Sequence, residues 1–319
     1  MSDFPKAITI SEEGPREGFQ IEPGPISTAG KVALIDALSD TGLKHIQVAS
    51  FVSPKRVPGM ADADDIVRAM KVVPGVEYTG LWFNDQGLER ARAVGKLTLQ
   101  GKIRSYASKA FLKRNLNRTP EEHLAQTERD IARFAELGIP VVEASITAAF
   151  GCNFEGNIGV ERVLAEVAWL LSVRDEHNLP IEFLSLADTM AWGTPASIKR
   201  VVGAIREKHP ELRLSLHLHD TRGMGIANAY AGLEMGVDLF DSSVGGLGGC
   251  PFAAHKGAAG NVCTEDLVFM CDEMGIETGV KLDALIEAAR LAEDVVGHPL
   301  PGAVKMGGSL QRLREAAAH

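Results

Sequence analysis

Short apolar runs alternate with longer amphipathic stretches along nearly the whole chain, and this alternation limits the open folds more than any other feature. The runs lie at residues 7–10, 43–49, 76–83, 102–106, 141–147, 181–186, 212–218 and 237–242. Strands covered on both faces read as near-continuous apolar runs, the pattern of a parallel sheet. Helical spacing fits 28–40, 61–70, 86–94, 119–137, 160–177, 194–208, 225–235, 264–274 and 282–296. Thr119 before Pro120, and Thr194 before Pro195, are helix starts with Thr as cap and Pro in the first turn. Thr264-Glu265-Asp266 is expected to cap a helix in the same way. Eight strand-then-helix units in one run predict an α/β fold, a (β/α)8 TIM barrel with an extra C-terminal helix. The expected organisation is a single catalytic domain over 1–319, with a helical extension from about 281 packing on it. A doubly wound sheet is the runner-up, weakened because no glycine-rich dinucleotide fingerprint follows the first strand.

Composition removes several classes of function. A formal net charge of -9 argues against a nucleic-acid partner. No apolar run approaches the ~20 residues a membrane span needs. The opening Met1-Ser2-Asp3-Phe4-Pro5 lacks the basic and apolar regions of a signal peptide. Four cysteines in 319 residues make no disulfide framework, so a reducing cytoplasm is the expected setting. The helix at 282–296 either closes the barrel edge or packs on a second copy in a homo-oligomer.

In a TIM barrel the chemistry sits at the C-terminal ends of the strands. Polar residues stand there in nearly every unit: Arg16 and Glu17; Gln47 and Ser50; Asn84; Ser108; Glu143, Ser145 and Thr147; Asp188 and Thr189; His217, His219 and Asp220; Asp241, Ser242 and Ser243. Loops are polar in any protein. His217 and His219 are less easily dismissed. Their run alternates strictly, so both imidazoles share one face of a strand and Leu214, Leu216 and Leu218 share the other. Such a pair is either a couple of satisfied core histidines or part of a metal site. After the last strand, Gly245-Gly246-Leu247-Gly248-Gly249-Cys250-Pro251 reads as a segment able to approach a ligand closely. A thiol such as Cys250 is mostly protonated at neutral pH and could serve as a general acid; the alternative is a small residue packed under its loop. Cys263 and Cys271 read as packing residues, and Cys152 is open.

The motifs Gly14-Pro15-Arg16-Glu17-Gly18-Phe19-Gln20, Ser50-Phe51-Val52-Ser53-Pro54-Lys55, Asp188-Thr189, His217-Leu218-His219-Asp220-Thr221, Gly246-Leu247-Gly248-Gly249-Cys250-Pro251 and Gly260-Asn261-Val262-Cys263-Thr264-Glu265-Asp266 occur in that order. Together they resemble the 3-hydroxy-3-methylglutaryl-CoA lyase family of DRE-TIM metallolyases, over almost the full chain. The resemblance implies a TIM barrel, a divalent metal (Mg²⁺ or Mn²⁺) and retro-Claisen cleavage of an acyl-CoA to acetyl-CoA and a 3-oxo acid. By position it implies metal ligands Glu17, His217, His219 and Asn261, and catalytic Arg16, Asp188 and Cys250. Gln47, Ser50 and Thr189 would line the substrate. The general base is left open between Asp188 and a metal-ligating His. Lys55, Lys109, Lys113 and Arg114 either meet the CoA phosphates or are solvated surface charges.

The chain departs from the family at three points. The family has Arg-Asp-Gly where Arg16-Glu17-Gly18 stands, a Glu where Gln47 stands, and fewer residues between Cys250 and Asn261, where this chain carries His255 and Lys256. These departures bear on the substrate, which could be a related 3-hydroxyacyl-CoA such as citramalyl-CoA. Two rivals stand beside the lyase. One is a Claisen-condensing synthase of the same superfamily, whose long C-terminal region is not expected here. The other is a non-catalytic metal-binding barrel.

Overall fold

A computed structural model describes residues 4–249 and 260–317. Its strands are β1 (Thr9–Glu12), β2 (His45–Ser50), β3 (Glu77–Leu81), β4 (Gly101–Tyr106), β5 (Val141–Thr147), β6 (Phe183–Ala187), β7 (Leu214–His217) and β8 (Leu239–Ser242). Helices follow the strands in the (β/α)8 succession of a TIM barrel, and the helix Leu282–Val296 comes after the eighth unit. The described chain falls into two compact units, residues 4–5 with 99–240, and residues 6–98 with 241–249 and 260–317. In the first unit the strand order is β7-β6-β5-β4; in the second it is β3-β2-β1, with β8 next to β1. Strand pairs within each unit are parallel, as between β1 and β2 or β6 and β7.

The apolar runs go inside as their pattern requires. Leu214, Leu216 and Leu218 are fully buried, as are Ile46, Val48 and Ala49 of β2. Burying one Leu is worth about 1.5–3 kcal/mol, so β7 is held firmly on the face opposite its histidines. The expected helix starts at Thr119 and Thr194 are capping boxes: Thr119 Oγ1 accepts from the Glu122 N–H (3.2 Å), and the Glu122 carboxylate accepts from the Thr119 N–H (2.8 Å). The helix Leu282–Val296 buries Leu285, Ile286 and Ala289 in its own unit, with Val295 against Gly30 of the helix Thr28–Ser39.

The structure differs from the sequence reading in several places. β1 ends at Glu12, two residues beyond the expected run, because Glu12 is a fully buried carboxyl that an apolar pattern passes over. Directly after it runs a helix, Gly14–Ile21, which is not among the helices expected from the sequence. Gly14-Pro15 looks like a turn, but Pro in the first helical turn gives up no hydrogen bond. Arg16 and Glu17 therefore ride on a helix. A further helix, Lys109–Leu116, is capped by Ser108 accepting from the Phe111 N–H (3.0 Å). Two more, Val304–Gly307 and Leu310–Ala317, follow Leu282–Val296. His219 lies just past the end of β7 rather than inside the strand. Thr264 does not cap its helix; it is the first helical residue, and its hydroxyl donates to Glu12 (2.6 Å).

Candidate active site

In the first unit, the β6–β7 register sets Ala187 opposite His217, and the Asp188 N–H donates to the His217 carbonyl (2.8 Å). The Asp188 carbonyl in turn takes the Nδ1–H of His219 (2.8 Å). A carbonyl can only accept, so this bond puts the proton on Nδ1 and the lone pair on Nε2, the arrangement typical of metal-ligating histidines. The two imidazole centroids are 5.0 Å apart and nearly perpendicular. The Asp188 carboxyl takes the Trp192 and Gly193 N–H groups on Oδ1 (2.8 and 2.9 Å), while Oδ2 is buried with no hydrogen-bond partner. Burial pushes this carboxyl up to about 6, against the two backbone donors and the charges of His217 and Arg222, which pull it down. Such a carboxyl can accept a proton near neutral pH.

Thr189 spends its hydroxyl on structure. Its Oγ1 accepts from the N–H of Ala148 (2.9 Å), a non-glycine residue held at a φ of 58°. The thiol of Cys152 is fully buried and takes the Phe154 N–H (3.4 Å), which makes it a packing residue. Among the four candidate CoA contacts, Arg114 stacks over Phe154 with 4.3 Å from its guanidinium to the ring centroid. Lys55, Lys109 and Lys113 are exposed.

In the second unit, the helix Gly14–Ile21 presents Arg16 and Glu17 side by side. Arg16 donates through Nε to Gln47 Oε1, through Nη1 to Glu17 (2.7 Å) and through Nη2 to Glu13. Burial opposes its charge, but Glu17 and Glu13 outweigh that and hold the guanidinium above its usual range. Glu17 also accepts from Asn261 Nδ2 (2.6 Å). That amide donates further to Ser243 Oγ (2.9 Å) and the Leu247 carbonyl (3.1 Å). Its Oδ1 is buried with no hydrogen-bond partner. A buried amide oxygen beside a carboxylate is a donor set for a hard divalent cation. Ser50 is fully buried, and its hydroxyl has no hydrogen-bond partner.

The expected residues thus gather within their own units: Asp188, His217 and His219 in one; Arg16, Glu17, Gln47 and Asn261 in the other. Cys250, His255 and Lys256 lie outside the described residues. The sequence reading passed over Glu13 and the role of Ser243. Glu13 and Arg16 are i,i+3 partners, a spacing that identifies the pair only once the helix is known.

Comparison with known proteins bears on the family of the chain. The HMGL-like family model matches residues 7–292. The chain is 38% identical over 302 residues to hydroxymethylglutaryl-CoA lyase YngG of Bacillus subtilis, covering 93% of this chain and 96% of that protein. The solved structure of the Bacillus subtilis HMG-CoA lyase superposes with a TM-score of 0.86 at 37% identity, covering 95% of this chain and 98% of that one. The mitochondrial hydroxymethylglutaryl-CoA lyase of Rattus norvegicus is 41% identical over 290 residues, with 90% and 85% covered. An Acinetobacter baumannii HMG-CoA lyase, solved in complex with coenzyme A and 3-methylmalate, gives a TM-score of 0.84 at 35% identity, with 97% of each chain covered. With a family match over most of its length and homologues of this identity end to end, the chain is a TIM-barrel member of the HMGL-like family, the family of these carbon–carbon lyases.

Proposed function

We propose that this protein is a divalent-metal-dependent acyl-CoA lyase, acting as one catalytic domain, that cleaves 3-hydroxy-3-methylglutaryl-CoA or a near relative by a retro-Claisen step. The observation that carries this reading is the end-to-end likeness to HMG-CoA lyases, one of them solved with coenzyme A. Glu17, His217, His219 and Asn261 would hold Mg²⁺ or Mn²⁺. Two imidazoles with oxygen donors suit either ion. When bound, the ion supplies Lewis-acid polarisation of the substrate's 3-hydroxyl.

The chain's own groups do the rest. Asp188 takes the 3-hydroxyl proton through its buried Oδ2. The O–H electron pair becomes the new C=O, the C2–C3 bond breaks, and its electrons pass to C2 of the departing acetyl-CoA. Arg16 uses its remaining N–H groups to hold the negative charge that develops on the thioester oxygen. Cys250 returns a proton to C2, completing acetyl-CoA and a 3-oxo acid.

No helix among the described residues is long and apolar enough to cross a membrane, and we place the enzyme in the cytoplasm, as expected of its composition. Gln47 and Glu17 favour one second reading, in which the acyl chain is that of citramalyl-CoA or another 3-hydroxyacyl-CoA. The test incubates Mn²⁺-loaded protein with each thioester and follows acetyl-CoA. Turnover of none, with metal and CoA both bound, would sink the lyase reading; turnover of a different thioester alone changes the substrate and keeps the chemistry. Cys250→Ser should lower turnover by about 10²-fold or more while Mn²⁺ binding, read by titration calorimetry, stays at the wild-type level. Full activity of that variant removes the thiol from the mechanism.

A further inference from the structure

Two fully buried carboxyl groups in the second unit take no part in the chemistry above. Glu12 ends β1 and Glu265 lies in the first turn of the helix Thr264–Glu273. They converge on successive amides of one short turn. Glu12 Oε1 accepts from the Val244 N–H (2.8 Å), and Glu265 Oε2 accepts from the Gly245 N–H (2.9 Å). Glu12 also takes the Gly14 N–H on Oε1 (2.8 Å) and the Thr264 hydroxyl on Oε2 (2.6 Å). That hydroxyl has spent its one proton on Glu12, so Ser242 Oγ donates to Thr264 Oγ1 (2.8 Å).

The turn so anchored is flanked by two of the three groups that hold the Asn261 amide, the third being Glu17. Ser243 Oγ precedes Val244, and the Leu247 carbonyl follows Gly246. Between them Gly245 and Gly246 sit at φ 64° and 75°, a left-handed stretch that glycine enters freely and leaves as freely. A turn of that kind does not fix its own exit direction. The two carboxylates do, by pinning the amides at its start.

Two glycines leave room for these carboxyl groups. A Cβ on Gly14 would come within 2.5 Å of Glu12 Oε1, and one on Gly302 within 2.0 Å of Glu265 Oε1. The charge of Lys305, whose amino group donates to the Leu300 and Gly302 carbonyls, pulls Glu265 down, and the charge of Asp266 pushes it up. Burial pushes Glu12 up to about 8 and Glu265 to about 7. Two carboxyl groups kept so unfavourably placed need a reason beyond satisfying amides that water or a neutral side chain could serve.

We propose that Glu12 and Glu265 are positioning residues which, by clamping the Val244–Gly245 amides, orient the Asn261 amide so that its Oδ1 faces the metal. The inference rests on Asn261 being a ligand, and the test separates the two claims. Mn²⁺ affinity of the apo-protein is measured by titration calorimetry, with circular dichroism confirming the fold, for wild type, Asn261→Ala, Glu265→Ala, Glu265→Gln and Glu12→Gln. Loss of an outer hydrogen-bond partner typically weakens metal binding about 10–100-fold. Glu265→Ala should weaken Mn²⁺ by about tenfold, towards the Asn261→Ala value. Glu265→Gln, which keeps an oxygen acceptor for the Gly245 N–H, should recover most of the loss. Hydrogen exchange over 243–249 should speed up in Glu265→Ala and return towards wild type in Glu265→Gln.

If Asn261→Ala leaves Mn²⁺ affinity unchanged, the ligand assignment is wrong and the clamp falls with it. If Asn261→Ala weakens binding and folded Glu265→Ala does not, the ligand stands and the clamp alone is overturned. Should Glu265→Ala fail to fold, Glu12→Gln carries the test, because its amide N–H would meet the Thr264 hydroxyl that now donates to Glu12; exchange over 243–249 is read with Mn²⁺ affinity, and no change in either rejects the proposal. Exchange that speeds up with no change in affinity rejects the proposal, and the two moving together supports it.

Discussion

His217→Ala is expected to give a folded protein that no longer retains Mn²⁺ and turns over roughly 10³-fold more slowly or worse, the equivalent of the several kcal/mol a Lewis acid contributes. The fold should survive because β7 is anchored from its other face by Leu214 and Leu216, both buried. The imidazole itself is only half-buried, so its loss opens little cavity. His219→Ala should lose the metal as well but also unfold more easily. Its Nδ1–H serves the Asp188 carbonyl, which would be left with the Ala191 N–H alone (3.1 Å), and one lost hydrogen bond costs about 0.5–1.5 kcal/mol. The pair therefore separates ligation from support. Metal content and activity should fall in both variants, with melting temperature falling mainly in His219→Ala. Retained metal in His217→Ala would remove that residue from the ligand set.

Arg16→Met should reduce kcat by about 10²–10³-fold, the usual loss when one preorganised donor to a developing oxyanion is removed. It should also destabilise the protein. Arg16 balances the carboxylates of Glu13 and Glu17, whose side chains are 7% and 13% exposed. Breaking a buried pair from one side costs about 3–5 kcal/mol. Arg16→Lys should rescue little of either effect. A single ammonium cannot serve three acceptors set out for a planar fork. Urea unfolding, with kcat at saturating Mn²⁺, checks these statements.

Both single-residue departures from the family converge on that guanidinium. Gln47 meets its Nε and Glu17 its Nη1. Arg16 retains two carboxylate partners here because Glu13, one helical turn back, is one of them. The sequence alone exposes each departure but not that they share a partner.

Local pattern explains what was readable and what was not. The strands of the barrel are apolar runs and the histidine pair is a two-residue alternation, so both are written in neighbouring positions. The helix Gly14–Ile21 was missed because its opening Gly-Pro has the composition of a turn. Glu12 was passed over because a buried carboxyl mimics a loop residue until its donors are known, and those donors, Val244 and Thr264, are far away in sequence. The same holds for Asn261: its motif marked it as a ligand, but the residues that orient it, Ser243 and Leu247, carried no signal of that task.

The bonds from Thr264 to Glu12 and from Asn261 to Glu17 join positions 252 and 244 residues apart. Translation at about 5–20 residues per second would separate the emergence of Glu12 and Thr264 by roughly 10–50 s. The unit built on residues 99–240 is nearly continuous and can form on the ribosome, whereas its counterpart must keep its opening segment waiting for residues 241–249 and 260–317. Nascent chains arrested before Thr264 should therefore show protease protection over 99–240 and rapid cleavage near 6–25. The enzyme's first strand would then be secured only after Thr264 has emerged, and its ability to hold a cation would arrive no earlier than Asn261.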